Sequence, residues 1–434
     1  MKKIALLVLA LTVMASLLIV SCGKKQATFP DQDLKGNALH PGTIETVTIQ
    51  SQYVGEAKKV NVYLPYGYDP NGTKEYPVIY FLHGFGGNEN SWFQGYSLNK
   101  VADLLIENGI IQPMILVCPN ANNALGGSFY TNSIDTNPKR NPTLNPKMGF
   151  GFYEYYFIKE VIPTIEAKYK IDPNKRGIEG HSMGGYGAMK LAMLYPTMFK
   201  SVAAHSGPLA FRELFWGTGS NLFQRIAAEN DTIISLQNAA ADPMHHVLTV
   251  TMMGMAGAFS PHFGPGLGFD YVQYLKYPAF MKPKPSTIYQ FPVSETPVDT
   301  VGPGPMDDIY PGVDLPVRIA QPKVMADTVT SVLNKWLTQD TYTMLQTGKS
   351  YDGSDLDLAA FKKLKIYMDC GNQDTFDPMN DGVGFGIIVE DIAFDQLLTS
   401  KGIDHTFNRY TGSHSSDVYY RIEVALKFQN KALK

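Results

Sequence analysis

The chain has 434 residues, of which 44% are hydrophobic and 18% are charged, and this composition excludes a disordered or fibrous polymer. The formal net charge of −3 provides no basic surface, so we expect no nucleic-acid partner. Three cysteines in so long a chain exclude a disulfide framework. The length suits about three domains, or one α/β domain with a long insertion.

The N-terminal segment has the pattern of an export signal followed by a polar tether. Two lysines precede an apolar run, Ile4–Val20, which leads into Cys22. The segment Ile-Val-Ser-Cys resembles the lipobox of bacterial lipoproteins, in which the cysteine is lipidated and becomes the new N-terminus. We therefore expect a lipoprotein signal peptide at 1–21, a lipidated Cys22, a tether at 22–43 and attachment to the cell envelope, on the periplasmic or the surface side. An ordinary cleaved signal and a retained anchor helix are the alternatives.

Beyond the tether, apolar runs alternate with amphipathic segments. Alternating patterns predict antiparallel strands at Ile44–Gln50 and Lys59–Leu64, and continuous apolar runs predict buried parallel strands. Apolar residues spaced by three and four predict helices. The alternation indicates an α/β fold with a mostly parallel central sheet flanked by helices. The buried strands are expected at Val78–Leu82, Met114–Cys118, Gly177–Glu179, Val202–Ala204, Leu364–Met368 and His405–Tyr410, and the helices at Leu98–Glu107, Tyr153–Tyr169, Gly185–Tyr195, Val389–Ser400 and Ser416–Phe428.

A long segment separates the sixth and seventh predicted strands. Residues 208–363 far exceed the dozen or so residues that a crossover needs. Eleven of the 28 prolines lie within 261–316, which predicts an irregular middle, whereas 324–346 has a helical pattern. We interpret 208–363 as a cap over one end of a core formed by 44–207 and 364–434. An elaboration remote from any site is the alternative.

The clearest catalytic signal is a serine between glycines at a strand-to-helix junction. The segment Gly180-His181-Ser182-Met183-Gly184 follows a predicted strand and precedes a helix of small residues. Glycines two residues before and after the serine are needed in such a turn, because side chains there would collide with neighbouring backbone. The turn exposes the Ser182 hydroxyl as a nucleophile and directs the first N–H groups of the helix towards one point.

A second glycine-rich turn, His83-Gly84-Phe85-Gly86-Gly87, directly follows the predicted strand at 78–82. It brings the N–H of Phe85 to face the N–H of Met183, and two converging donors form an oxyanion hole. A glycine turn without a catalytic role is the plainer alternative.

A serine nucleophile needs a base, and the base needs an acid that holds its tautomer. Asp374 and His414 each follow a late predicted strand, and they complete the chain order serine, acid, histidine that α/β-hydrolases use. Asp369 and Asp377 are competitors for the acid. Asp369 is expected to point into the sheet, and Asp377 lies further along the loop.

Packing or a backbone hydrogen bond explains three histidines at or near strand ends better than catalysis does: His181, His205 and His405. His245, His246 and His262 of the insert lack the ligand spacing and the nearby acid of a zinc site, so we expect no metal and no other cofactor. Cys118 and Cys370 end strands that are not expected to be neighbours and are interpreted as buried thiols.

These segments together resemble the family described as putative esterases, which includes feruloyl and acetyl xylan esterases, S-formylglutathione hydrolase, enterochelin esterase and the mycolyltransferases. The resemblance is carried by residues 81–87, the helix at 153–169, and 176–188 with Ser206 and Gly207. It extends over about 44–207 and resumes from Leu364 to the end of the chain.

The resemblance implies an α/β-hydrolase fold with Ser182 as nucleophile, Asp374 as acid and His414 as base. It also implies that the N–H groups of Phe85 and Met183 form the oxyanion hole. The chain departs from the family pattern in the long insert and in the three residues after His414, where many relatives place an acidic residue and then tryptophan.

The leading hypothesis is a serine carboxylesterase of the cell envelope that works through an acyl-enzyme and requires no cofactor. Export and the resemblance favour an acyl ester of carbohydrate, of acetyl or feruloyl type, as its substrate. One alternative is an acyltransferase that moves the acyl group to a sugar, and another is a surface glycan-binding protein on a non-catalytic hydrolase scaffold. A set of insert residues either lines an adaptable apolar acyl pocket or forms the core of the insert: Met252, Met253, Met255, Phe259, Tyr271, Tyr274 and Tyr277.

Overall fold

The computed structural model describes residues 36–123, 125–135, 149–216, 226, 229, 246–262, 312–313, 317–320, 325–328, 330–374 and 386–434. The predicted signal peptide with Cys22 lies outside these residues, as do Asp377 and most of the proline-rich middle of the insert.

The described residues form one large sheet whose strands are β1 Thr43–Gln50, β2 Ala57–Leu64, β3 Tyr76–Leu82, β4 Ile115–Pro119, β5 Ile171–His181, β6 Ser201–His205, β7 Lys365–Gly371 and β8 His405–Tyr410. Their order in the sheet is β1-β2-β4-β3-β5-β6-β7-β8. Strand β2 runs antiparallel to both of its neighbours, and every other pair is parallel. The predicted α/β class with a mostly parallel sheet is confirmed, and the insert leaves the sheet between β6 and β7.

Burial along the strands follows from their positions in the sheet. All residues of β3, β4 and β6 are buried, because parallel strands in the centre of a sheet have helices on both faces. Strand β1 lies at the edge and is mostly exposed. Strand β5 begins at Ile171, six residues before the predicted start, although it contains Pro173 and polar neighbours. This early part pairs with β3 only at its two ends, Ile171 with Tyr76 and Arg176 with Val78, and a register irregularity lies between them. The sequence there therefore lacks a buried-strand pattern.

Helices cover both faces of the sheet. Val78, Tyr80 and Leu82 of β3 pack into one hydrophobic cluster, whereas Ile79 and Phe81 pack into another on the opposite face. The described helices are α1 Leu98–Glu107, α2 with consecutive segments Tyr153–Tyr155, Tyr156–Val161 and Ile162–Lys168, α3 Met183–Leu194, α4 Phe211–Trp216, α5 Val247–Phe259, α6 Thr330–Gln339, α7 Thr341–Thr347, α8 Leu358–Phe361, α9 Ile387–Ser400 and α10 Val418–Ala432, with a single π-turn at Ser91–Gly95. Helices α2 and α3 contribute to the first cluster, and α1 and α10 to the second.

The segment 324–346 is not the single helix that its pattern predicts. Met325–Thr328 is a strand paired with Val317–Ala320, and the remainder forms α6 and α7. The two helices separate at Asp340, whose extended backbone ends α6 and whose side chain accepts a hydrogen bond from the N–H of Thr343 (3.0 Å). Buried residues recur at helical spacing in both helices, so the apolar pattern does not mark the break. The N-cap residue Asp340 is the local signal that a new helix begins.

The junction of α6 and α7 packs on α3, the helix that follows Ser182. The Tyr186 hydroxyl donates to the backbone carbonyl of Gln339 (2.7 Å), and the Lys190 ammonium donates to the side-chain oxygen of Gln339 (2.8 Å). The N–H of Tyr342 donates to the carbonyl of Leu209 (3.0 Å), in the segment after β6. These described parts of the insert are therefore tied to the core beside the predicted nucleophile.

Two further small sheets pair Asn132–Ser133 with Gly151–Phe152 and Pro261–His262 with Gly312–Val313. None of the helices in the described part of the chain is long and apolar enough to cross a bilayer.

Candidate active site

Ser182 lies at a strained turn between β5 and α3. Its φ of 58° and ψ of −122° belong to a region that non-glycine residues rarely adopt. A β-carbon on Gly180 would lie 2.0 Å from the Gly184 carbonyl oxygen, and one on Gly184 would lie 2.0 Å from the carbonyl oxygen of Leu82. Both glycines are therefore sterically required. The N–H of Ser182 donates to the carbonyl of His205 (2.8 Å), which holds the turn against the end of β6.

The glycine turn after β3 lies directly beside this serine. A β-carbon on Gly84 would be 3.4 Å from the Ser182 Cβ. Met183 is the first residue of α3, where N–H groups have no acceptor within the helix. In the described part of the chain, the N–H of Phe85 is likewise not donated to a backbone acceptor. The turn that contains Phe85 and the first residue of α3 are thus both next to Ser182, and their role as an oxyanion hole stays a prediction.

His83 holds the glycine turn in place. Its Nε2 accepts a hydrogen bond from the N–H of Ala121 (2.9 Å), so Nδ1 carries the proton and donates to the Gly84 carbonyl (2.8 Å). Burial lowers the pKa of His83 to about 4, which keeps the ring neutral and preserves this tautomer. The sequence gives no signal for this role of His83, because its partner Ala121 follows a different strand.

The loops after β7 and β8 bring Asp374 and His414 together. Both carboxylate oxygens of Asp374 lie 3.0 Å from Nδ1 of His414. The Asp374 side chain is fully buried and that of His414 is 11% exposed. A β-carbon on Gly371 would lie 2.2 Å from the carbonyl oxygen of Gly412, so the two loops touch through their backbones. This packing fixes the distance between the acid and the imidazole.

The backbone of His414 is anchored beside the nucleophile turn. Nε2 of His181 donates to the His414 carbonyl (2.9 Å), and the two imidazole rings are 4.8 Å apart. The Tyr96 hydroxyl lies 3.1 Å from Nδ1 of His181 and donates to it in this tautomer. Desolvation, together with the nearby His414 and Arg421, lowers the pKa of His181 well below its usual value. The neutral His181, which directly precedes Ser182, therefore links the nucleophile turn to the backbone of His414.

Asp369, the competing acid, belongs to a buried ionic network below the site. Its carboxylate accepts hydrogen bonds from Nε of Arg421 (2.8 Å) and from Nδ1 of His205 (2.8 Å), and the other nitrogen of His205 donates to Glu179 (2.9 Å). All four side chains are fully buried. Arg421 also donates to the His414 carbonyl (3.2 Å). The expectation that Asp369 points into the sheet agrees with this arrangement.

Two basic side chains, Arg421 and His205, contact the two buried acids of this network, Asp369 and Glu179. Burial raises the pKa of Glu179, against the opposing hydrogen bond from His205. Burial alone would lower the pKa of His205, but attraction by Asp369 and hydrogen bonds to Asp369 and Glu179 raise it to about 9. Burial would likewise raise the pKa of Asp369, but Arg421 and His205 lower it to about 2. The sequence carries one signal for the network, since Glu179 is a charged residue in a predicted buried strand and needs a partner.

We expect replacement of Arg421 by methionine to lower the free energy of unfolding by about 3–5 kcal/mol, because it leaves buried carboxylates short of one countercharge. Urea unfolding of the two proteins, followed by circular dichroism, measures the difference. Arg409→Met is the matched control, since Arg409 is exposed on β8 and its loss should change the unfolding free energy by at most about 0.5 kcal/mol. Equal stability of the two variants would contradict a stabilising network.

Ser182 opens into a cavity lined mainly by apolar side chains. The cavity has about 60 Å³ of water-accessible space and is bordered by Phe85, Phe129, Met252 and Met255 among others. The insert residues Met252 and Met255 therefore line a pocket at the nucleophile. Like Met253 and Phe259, they also belong to the buried hydrophobic core. Tyr271, Tyr274 and Tyr277 lie outside the described residues.

The remaining candidates lie away from this cavity or outside the described residues. His405 in β8 pairs with Asp395 (2.8 Å). His246 precedes α5, whereas His245 and the side chain of His262 are outside the described part of the chain. Cys118 and Cys370 are buried free thiols on β4 and β7, which are not neighbours in the sheet.

Comparison with protein families matches residues 51–260 to the family described as “Putative esterase”. The match covers just under half of the chain and shows what this segment is similar to. It includes Phe85, Ser182 and Met183, whereas Asp374 and His414 come after it in the chain. The pairing of those two residues is therefore an observation of the structure alone.

Two curated proteins are similar to part of this chain. The chain is 33% identical over 196 residues to an endo-1,4-beta-xylanase/feruloyl esterase of Xylanibacter ruminicola, covering 42% of this chain and 25% of that protein. It is 31% identical over 168 residues to an esterase of Mycobacterium tuberculosis, covering 38% of this chain and 32% of that protein. The chain thus spans only a quarter to a third of these two relatives.

A solved structure described as a ferulic acid esterase has the same fold. It superposes with a TM-score of 0.52 at 18% identity, over 91% of this chain and 99% of that one. This likeness shows that the chain has an α/β-hydrolase-like fold.

Proposed function

We propose that this protein is a serine carboxylic-ester hydrolase that forms an acyl-enzyme on Ser182. The observation that carries the proposal is the hydrogen-bonded pair of His414 and Asp374, anchored through His181 beside a strained Ser182. The pairing supplies a base with a defined tautomer, and the turn supplies an exposed nucleophile. The apolar cavity at Ser182 supplies a place for an acyl group.

In this mechanism, Nε2 of His414 takes the proton of the Ser182 hydroxyl while Oγ attacks the ester carbonyl carbon. The negative charge that develops on the carbonyl oxygen is stabilised by the N–H groups of Phe85 and Met183. The intermediate then expels the alcohol, which receives the proton from His414. Water repeats the sequence on the acyl-enzyme, releases the carboxylic acid and restores Ser182. Asp374 stays ionised and holds Nδ1–H throughout.

We propose acyl esters of carbohydrate, of acetyl or feruloyl type, as the substrate class. The relative from Xylanibacter ruminicola is described as a xylanase and feruloyl esterase, which supports this class. A cavity bordered by methionines and phenylalanines suits an apolar or aromatic acyl group.

A location at the cell envelope through a lipidated Cys22 is part of the same proposal. It is supported by the basic start, the apolar run and the Ile-Val-Ser-Cys segment. Mass spectrometry of the N-terminal peptide from a membrane fraction tests it. A peptide that begins at Cys22 and carries fatty acids is expected, and a chain cleaved elsewhere or unmodified would contradict it.

The test of the catalytic proposal is labelling of the protein with a fluorophosphonate, followed by peptide mass spectrometry and a panel of acetyl and feruloyl esters. We expect the label on Ser182 and turnover of at least one ester class. Addition of a sugar acceptor distinguishes transfer from hydrolysis, because a transferase yields a new sugar ester. A folded protein with neither label nor turnover would contradict an esterase and favour a glycan-binding role.

A further inference from the structure

An acid that the proposed mechanism does not use borders the same cavity as Ser182. Glu390 of α9 is among the residues that line this cavity, together with Leu248, Met252 and Met255 of α5. Its side chain is fully buried. A carboxyl group in so apolar a site is costly unless it is paired, so its position calls for a partner.

The structure shows a hydrogen-bond partner for one of the two carboxyl oxygens of Glu390. Oε2 of Glu390 accepts a hydrogen bond from the N–H of Ala210 (3.0 Å), in the segment that follows β6. Oε1 is buried and has no hydrogen-bond partner within the described part of the chain. An unpaired buried oxygen costs about 1–3 kcal/mol, which a ligand with a complementary group would recover.

The environment of Glu390 favours its neutral form. Burial, with added repulsion from Asp391, raises the pKa of Glu390 well above its usual value, against the opposing hydrogen bond from Ala210. Because Oε2 accepts the N–H of Ala210, the proton resides on Oε1. Oε1 is then a hydroxyl donor with no acceptor among the residues that the structure describes.

We propose that Glu390 is a specificity-determining residue of the acyl pocket, and that its free oxygen hydrogen-bonds a hydroxyl group on the acyl part of the substrate. This inference rests on the proposed esterase function of Ser182, since it assigns the acyl group to the cavity that both residues border. The substrate class is then a hydroxylated acyl ester, aromatic or aliphatic. A plain acetyl group has no oxygen beyond its ester carbonyl and leaves Glu390 unpaired.

The expected preference follows from the unpaired oxygen. An acyl group with a methyl in place of the hydroxyl fits the same space but keeps Oε1 without a partner. Sites built to bind a hydroxyl reject such analogues more strongly than apolar sites reject an extra methyl group. We expect the hydroxylated ester to have a kcat/KM at least about tenfold higher than its methyl analogue, which is about 1.4 kcal/mol.

A purely structural role of Glu390 has a different signature. If the residue only supports the Ala210 N–H, its removal changes turnover of all esters by the same factor. If it recognises the acyl group, its removal changes the ratio between hydroxylated and methylated esters. Glu390→Gln keeps a neutral side chain with both donor and acceptor, whereas Glu390→Met keeps the length and removes both.

The experiment measures kcat/KM of the full chain for two isosteric pairs: ethyl 4-hydroxycinnamate against ethyl 4-methylcinnamate, and ethyl 3-hydroxybutyrate against ethyl 3-methylbutyrate. Rates are normalised to alkaline hydrolysis of each ester, which removes differences in intrinsic reactivity. We expect wild type and Glu390→Gln to prefer the hydroxylated member of at least one pair about tenfold, and Glu390→Met to treat both members alike. Gln396→Met, at an exposed position of the same helix, is the control and should retain the wild-type ratio.

The outcomes separate this inference from the proposed function. Wild-type turnover of both members of each pair at similar rates, or an unchanged ratio in Glu390→Met, would overturn the role of Glu390 and leave the esterase intact. Should Glu390→Met not fold, the wild-type ratios alone decide. Absence of both fluorophosphonate labelling at Ser182 and turnover of any ester would overturn the esterase and this inference with it.

Discussion

Replacing Ser182 by alanine is expected to lower kcat of ester hydrolysis by about 10⁶-fold, because no other group can form the acyl-enzyme in the proposed mechanism. The remaining rate would come from binding and from the N–H groups of Phe85 and Met183, which still stabilise an oxyanion when water attacks directly. Steady-state kinetics with the preferred ester measures kcat, and the fluorophosphonate label should disappear in the same variant.

Two controls accompany this prediction. The unfolding midpoint of Ser182→Ala should match that of wild type, because the hydroxyl is not needed for the backbone hydrogen bond from Ser182 to His205. Ser400→Ala, at the exposed end of α9, should retain full activity. A Ser182→Ala protein with more than a few per cent of wild-type activity would show that another residue is the nucleophile.

Replacing Asp374 by asparagine is expected to lower kcat by about 10⁴-fold. The Asp374 carboxylate accepts the Nδ1–H of His414, with both oxygens 3.0 Å from Nδ1, so Nε2 is the nitrogen that takes the proton of Ser182 in the proposed mechanism. An asparagine amide can instead donate to Nδ1 and favour the tautomer with the proton on Nε2. That tautomer cannot accept the proton of Ser182, so acylation slows although the fold is retained.

Asp377→Asn is the matched control, because Asp377 follows Asp374 by three residues and is the competing acid that the sequence offers after β7. We expect its activity to stay within a few-fold of wild type. Asp369→Asn is a poor test of catalysis, since its buried contacts with Arg421 and His205 make a loss of stability the dominant effect. A larger loss of kcat at Asp377 than at Asp374 would reverse the assignment of the acid.

The predictions at Asp374 and at Arg421 concern two different sets of contacts with His414. Asp374 acts on the side chain of His414, whereas His181 and Arg421 act on its backbone carbonyl. The buried network therefore supports the position of the imidazole, and the loop after β7 supplies its orientation. The free energy of unfolding reports the buried contacts of Arg421, and kcat reports the contact between Asp374 and the His414 side chain.

The sequence by itself determined those features that depend on local sterics and periodicity. The glycines around Ser182 could be recognised because their requirement arises within a few residues, and the bounds predicted for α1 agree with the structure. The strand pattern was sufficient for the mostly parallel α/β class, because burial on both faces leaves continuous apolar runs. The start of β5 at Ile171 was missed because this part of the strand is polar and partly exposed, so it has no continuous apolar run.

Only the tertiary structure decided which distant side chains meet. The sequence favoured Asp374 but left Asp369 and Asp377 as competitors. The structure separates Asp369 from Asp374 by their partners, Arg421 and His205 for Asp369 and His414 for Asp374. No local pattern places Glu390 at the cavity of Ser182, because α9 reaches it from a part of the chain about 200 residues away. Pairing of charges and filling of a cavity depend on distances through space, which the order of residues along the chain does not contain.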